Sequence, residues 1–287
     1  MKYVFLVIVV LGVCVQNIFK KQFNTKAETK TDKNACLKYS FMVVLTAAIF
    51  LGIIYIFKFS FCLESLGYAT LFAICYSATS FSSFMSIKEG SLSLSALIIS
   101  FSTMLPVLFG IGFLDEKLTL VGGTGLLFLS LSLVFISKVK KEEKINIKWL
   151  IYLAVSFLGN GFCSIIQKVH QINVVGDYSI CFQFIAMVIS TMLFAIILAV
   201  RKSGSILVFS KKYGKYTVLT GIANAIVNVL MLYLAVNMDS VILYPIVSAG
   251  GILLTFITAL TLYKEKLNKV QYIGYLFGIV SIILLGL

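Results

Sequence analysis

Asn160, Ser164 and Gln167 are spaced i, i+4, i+7 inside a long apolar stretch, which puts three neutral polar side chains on one face of a helix. Asn224 and Asn228 share a face in a second stretch, and Tyr76, Ser80 and Ser83 form a polar stripe in a third. An amide in hydrocarbon must find a hydrogen-bond partner. Two kinds of partner suit it. One is a neighbouring helix, at about 0.6–2 kcal/mol per bond. The other is a polar ligand without net charge. Both readings stand for the candidate substrate-binding set, which is Asn17, Tyr76, Thr79, Asn160, Ser164, Gln167, Asn224, Asn228, Tyr244 and Ser248.

The types that are missing narrow the chemistry further. All eleven acidic residues fall in loops or at the ends of apolar runs. A charge at mid-membrane costs about 2.5–3.5 kcal/mol on insertion scales, so it is kept there only for a purpose. Neither a counter-charge for a cation nor a titratable carboxylate for proton coupling is present at mid-depth. His170 is the one histidine; beside Lys168 at a helix end, it is expected to be solvated or interfacial. The six cysteines are scattered without a CxxC pair and read as small apolar residues rather than metal ligands or a disulfide framework. No GxxxxGK[ST] loop suggests a nucleotide, and no cofactor or metal is expected. One histidine and no intramembrane carboxylate also argue against an enzyme. The two prolines, Pro106 and Pro245, interrupt apolar stretches just before charged turns, and Gly250 and Gly251 follow the second. We expect hinges there.

Lipid is the solvent these stretches require. The 287 residues are 60% hydrophobic and 12% charged, with mean hydropathy +1.03, whereas soluble domains carry about a quarter charged residues. The net charge of +13 is spread between apolar runs instead of forming one basic face, so nucleic acid is not an expected partner. Runs of about 20 apolar residues predict ten transmembrane helices. They lie near 3–19, 39–57, 66–87, 91–113, 118–137, 147–167, 178–200, 216–238, 240–262 and 269–287. Very short links at Lys88-Glu89-Gly90, Asp115-Glu116-Lys117 and Asn237-Met238-Asp239 force tight hairpins.

The chain also repeats itself. FLDEKLTLVGGTGLLF and LYKEKLNKVQYIGYLF align at an offset of 149, with Glu116 on Glu265, Gly125 on Gly274, Phe128 on Phe277 and Ser132 on Ser281. Near an offset of 147, Leu11-Gly12 falls on Leu158-Gly159, so the first span has an internal counterpart that a removable leader would not need. Residues 1–137 form a first five-helix repeat, 138–146 a cytoplasmic linker and 147–287 a second five-helix repeat. Twenty of the 24 basic residues lie in odd-numbered loops, which by the positive-inside rule places both termini outside. Five is an odd number, so the two repeats are inserted upside down relative to each other. Inverted repeats give one packing open to each side of the membrane, the physical basis of alternating access.

Ten helices, five plus five, with a Glu-bearing turn before the last helix of each half, resemble the drug/metabolite transporter superfamily, specifically its EamA-type members. The residues that carry the likeness are SLSALIISFSTMLPVLFGIGFLDEKLTLVGGTG and SVILYPIVSAGGILLTFITALTLYKEKLNKVQYIG. The resemblance covers essentially the whole chain and implies small-solute transport. The chain departs from the family at two points. Many members place their termini in the cytoplasm, and the small multidrug relatives carry an acid in their first helix where this chain has Gln16 and Asn17.

We therefore expect an all-α integral protein of the bacterial plasma membrane. It would be a secondary transporter of a small neutral or zwitterionic metabolite such as an amino acid, with the lipid bilayer as its other partner and any coupling ion unknown. Alternatives are a lipid-linked carrier or flippase, with Lys20, Lys21 and Lys168 as a head-group site, or an exporter of a cationic drug or amine. A cysteine placed at Lys26 should react with an impermeant thiol reagent only after cells are opened; labelling of intact cells would overturn the predicted orientation.

Overall fold

The computed structural model describes residues 1–24, 34–89, 99, 101–137, 147–174, 176–261 and 269–286. Ten helices of ten residues or more lie among them, and no strand. They are α1 (Lys2–Asn24), α2 (Ala35–Phe57), α3 (Leu63–Glu89), α4 (Met104–Phe113), α5 (Leu120–Ser137), α6 (Ile147–Asn173), α7 (Ser179–Val200), α8 (Ile206–Asn237), α9 (Ser240–Thr261) and α10 (Lys269–Gly286). Embedded hydroxyls do not break these helices because they bond to their own turns: Thr46 donates to the Met42 carbonyl, Thr191 to Met187 and Thr220 to Tyr216.

Several boundaries differ from the sequence expectation. α8 begins ten residues before position 216, and α6 runs on past 167 to Asn173. Hydropathy marks where a segment leaves lipid, whereas backbone hydrogen bonding continues into the interface. Ring contacts hold the added turns of α8, with Phe23 of α1 against Phe209 (5.8 Å) and Tyr213 (5.3 Å). The linker 138–146 and the second Glu-Lys-Leu turn at 265–267 lie outside the described residues, as do Lys26 and the greater part of 91–100.

α1 (from Lys2 to Lys20), α2, α6, α7 and α8 are long and apolar enough to cross a membrane; shorter apolar segments lie in α4, α5, α9 and α10. Their outward faces carry apolar stripes at helical spacing, with Ile49, Ile53 and Ile56 exposed on α2 and Met192, Ile196 and Val200 on α7. Water would penalise such continuous stripes, so a membrane location suits them.

The chain packs as two compact units, each drawing on both halves of the sequence. Tyr3–Phe81 and Ile166–Tyr233 form the first, and Ser82–Ile165 and Leu234–Leu287 the second. Inside the first unit, glycines let backbones close up. A Cβ on Gly221 of α8 would press on Thr46 and on the Val43 carbonyl of α2, and one on Gly12 of α1 would meet Val227 of α8.

Inside the second unit, α5 and α10 pack antiparallel. The Ser281 hydroxyl donates to the Gly125 carbonyl at 2.8 Å, Gly278 faces Ser132, and the Phe128 and Phe277 rings meet edge-on at 5.4 Å. Leu129 of α5 and Ala249 of α9 centre the small core beside this seam, with Phe101, Met104 and Ile282 around them.

Gly125→Ala should lower stability by about 1–3 kcal/mol, because its Cβ would lie 2.9 Å from Leu285 Cγ. Gly112→Ala in α4 has open space and should be neutral or gain about 0.5–1 kcal/mol. Thermal unfolding of the two variants in the same detergent checks the contrast.

Candidate functional site

Four amide side chains in the first unit form one continuous chain of hydrogen bonds. Gln167 Nε2 of α6 donates to Asn228 Oδ1 of α8 at 3.1 Å. Asn228 Nδ2 donates to the Asn224 carbonyl one turn back, at 2.9 Å. Asn224 Nδ2 donates to Gln16 Oε1 of α1 at 3.4 Å. Only a donor can face a backbone carbonyl, so the orientation of Asn228 follows, and with it the acceptor role of its Oδ1. The chain thus spends three of its N–H groups internally. It leaves one acceptor over: Asn224 Oδ1 is buried without a partner.

The other buried polar atoms without a partner are in the same unit: the hydroxyls of Ser77 and Thr79 on α3, and both ends of the Gln183 amide on α7. Gln183 is fully buried, on the face of α7 that also buries Ala186, Met187 and Ser190. Leaving a buried polar group unpaired costs about 1–3 kcal/mol. Among the described residues these atoms are the places where a polar guest would gain most.

The predicted set divides between the two units. Gln167, Asn224 and Asn228 are brought together as described, and Thr79 and Tyr76 lie on α3 of the same unit, Tyr76 stacked on Phe72 at 5.7 Å. Asn17 of α1 is exposed, and its neighbour Gln16 makes the contact to Asn224 instead. Asn160, Ser164, Tyr244 and Ser248 belong to the second unit. There Asn160 Nδ2 donates to Ser102 Oγ at 2.6 Å, the Ser164 hydroxyl returns to the Asn160 carbonyl at 3.3 Å, and the buried Tyr244 hydroxyl donates to the Ser164 carbonyl at 2.8 Å. The first and third bonds tie α6 to the segment before α4 and to α9, and the second lies within α6.

The two prolines behave differently. Pro106 sits in the first turn of α4, just after a break at Ser102–Thr103, where a missing N–H costs little. Pro245 lies inside α9, which continues through it to Thr261 with Gly250 and Gly251 buried. A helix break thus stands a few residues before Pro106, and none stands at Pro245, whose ring comes just after the first turn of its helix.

His170 also departs from expectation. It is 1% exposed, with Nε2 2.9 Å from Ser65 Oγ, Nδ1 3.2 Å from Gln171 Nε2 and its ring 4.3 Å from that of Phe182. The added length of α6 carries it into the packing with α3 and α7. Gln183 was absent from the predicted set, although it is an amide inside an apolar helix, the same signal that marked Asn160.

The turn before α5 caps a helix far away in sequence. Glu116 Oε1 accepts from Ser240 Oγ at 3.1 Å and Oε2 from the Val241 N–H at 3.2 Å, so this carboxylate closes the first turn of α9. Asp115 takes a left-handed φ of 53° to make the turn, and a Cβ on Gly110 would collide with the Glu116 carboxylate. The helix this glutamate caps is thus α9, which lies more than a hundred residues further along the chain.

No protein-family model matches the chain, and no curated protein matches it. Among solved structures 28 chains match. One, described only as the crystal structure of a protein, superposes with TM-score 0.74 over 99% of this chain and 95% of its own, at 11% identity. That likeness shows a shared fold and nothing about activity.

Glu116→Ala should cost about 1–2 kcal/mol, the loss of a helix cap, and Glu116→Gln less, since one acceptor survives. Thermal unfolding reads both; equal midpoints for Glu116→Ala and the unsubstituted chain would remove the cap from the account.

Proposed function

We propose that the chain is a secondary transporter of a small polar solute without net charge, on a ten-helix scaffold of two inverted five-helix repeats like that of the EamA-type drug/metabolite transporters. The observation that carries this reading is the amide chain Gln16–Asn224–Asn228–Gln167. It joins helices from both halves of the sequence, has no carboxylate in it, and holds in its middle a buried carbonyl oxygen without a partner. Such a cluster offers hydrogen bonds to a solute that sheds its water, and no counter-charge to a cation.

The α5–α10 seam supports the inverted duplication. Phe128 and Phe277, aligned by the repeat, touch each other. Gly125 bonds to Ser281, the residue aligned with Ser132, while Ser132 faces Gly278, one turn from the residue aligned with Gly125. Reciprocal contacts across an antiparallel pair are what a two-fold axis in the membrane plane would produce. Two halves related in this way have two equivalent packings, so a solute can be met first from one side and then from the other.

Purified protein should be stabilised by some member of a panel of amino acids, sugars, choline-like amines and nucleosides. Asn228→Ala should abolish that stabilisation while lowering the unliganded midpoint only slightly, at about 0.6–2 kcal/mol for its bonds. A ligand response unchanged in Asn228→Ala would return the amides to helix packing. A panel in which only permanent cations stabilise would refute the neutral-solute reading.

A further inference from the structure

A cavity of about 360 Å³ opens at the turn between α7 and α8, away from the amides. Its walls are apolar, with Leu198 and Ala199 of α7 on one side and Ile206 of α8 on the other; its rim is Lys202, Ser203 and Gly204. Lys38 of α2 stands against the rim residue Gly204, on which a Cβ would lie 3.9 Å from Lys38 Nζ. Lys38 is 8% exposed and its ammonium stands 5.9 Å from the centre of the Phe209 ring. Arg201 lies over Phe81 at 5.8 Å, and Lys212 over Tyr213 at 5.9 Å. The N-terminus of the 32-residue α8 adds its positive end to the same place.

The sign of this end is uniform. The described acids of the first unit, Glu64 and Asp177, stand at the beginnings of α3 and α7, the opposite end of the unit. The cavity sits where two helices long enough to cross a membrane meet the turn that joins them. Cations on its rim and hydrocarbon on its walls match one class of molecule in both parts.

We propose that this cavity is a binding site for the head group of an anionic phospholipid, its phosphate held by Lys202 and Lys38 and the first part of its acyl chain resting on Leu198, Ala199 and Ile206. Basic pockets beside membrane helices on the cytoplasmic side recognise lipid in this way. The site is independent of which solute the amides hold. It anchors the α7–α8 turn at the membrane surface and orients the cationic end of the unit toward an anionic leaflet.

Lys202 is suited to the test because it is exposed and holds a φ of 45°. Glycine adopts that backbone without strain, so Lys202→Gly removes the charge while leaving the fold intact or firmer. The full chain, purified in neutral detergent, is titrated with phosphatidylglycerol, with phosphatidylcholine and with inorganic phosphate, reading the unfolding midpoint and lipid retention by native mass spectrometry. Phosphatidylglycerol should raise the midpoint and remain bound, while the other two have little effect. Lys202→Gly should bind phosphatidylglycerol about fivefold more weakly, the worth of one surface cation, and Lys58→Gln, at the other end of α2, should bind as the unsubstituted chain does. Three results would overturn the proposal: equal responses to the two lipids, an equal response to inorganic phosphate alone, or a Lys202→Gly chain that binds phosphatidylglycerol undiminished.

Discussion

An apolar helical bundle has no water with which to satisfy an amide or a hydroxyl, and this constraint organises most of the polar contacts in the chain. Serine and threonine meet it locally, by bonding to carbonyls three or four residues back. Asparagine and glutamine cannot satisfy both ends of the side chain that way, so they reach across to other helices. These amides therefore tie elements together and identify which helices must be neighbours. Glu116 obeys the same rule with a charge: it is tolerated because the first turn of α9 supplies two donors. Where the rule fails, at Asn224 Oδ1, Thr79, Ser77 and Gln183, it fails within one unit.

The long helices α1, α2, α6, α7 and α8 were legible in the sequence because each is an apolar run of membrane length, and the turns at Asp115-Glu116-Lys117 and Asn237-Met238-Asp239 because charged and polar residues there interrupt such runs. Helix ends were less legible. α6 and α8 continue as helices after their composition turns polar, so a hydropathy window stops where the hydrogen-bond ladder does not. That error hid His170: read as the end of a span it belongs in water, but as part of a longer helix it lies beneath Phe182 and against Ser65. Pairings across long sequence separations, such as Glu116 with Ser240 or Gln16 with Asn224, leave no local trace at all.

The candidate residues show the same division. Helical spacing correctly joined Asn224 to Asn228 and Gln167 to their face of α6, since a shared face is a local property. It could not show that Asn160 and Ser164, on the same helix as Gln167, belong to a different unit, because the boundary falls inside α6 between Ile165 and Ile166. Nor could it choose between Gln16 and Asn17, adjacent residues about 100° apart on a helix; only the position of α8 decides that Gln16 faces Asn224.

The distribution of charge follows from the same economy of polar contacts. Inside the first unit the amides that reach other helices bond to neutral partners, and Arg201, Lys202 and Lys212 collect at one end, where rings and a turn support them, although Lys168 is buried beside Gln167. The two positions ask different things of a side chain. A cation at the end of a helix keeps part of its water and needs little from the protein, whereas an amide packed between helices carries no net charge and needs only a hydrogen-bond partner to be tolerated there.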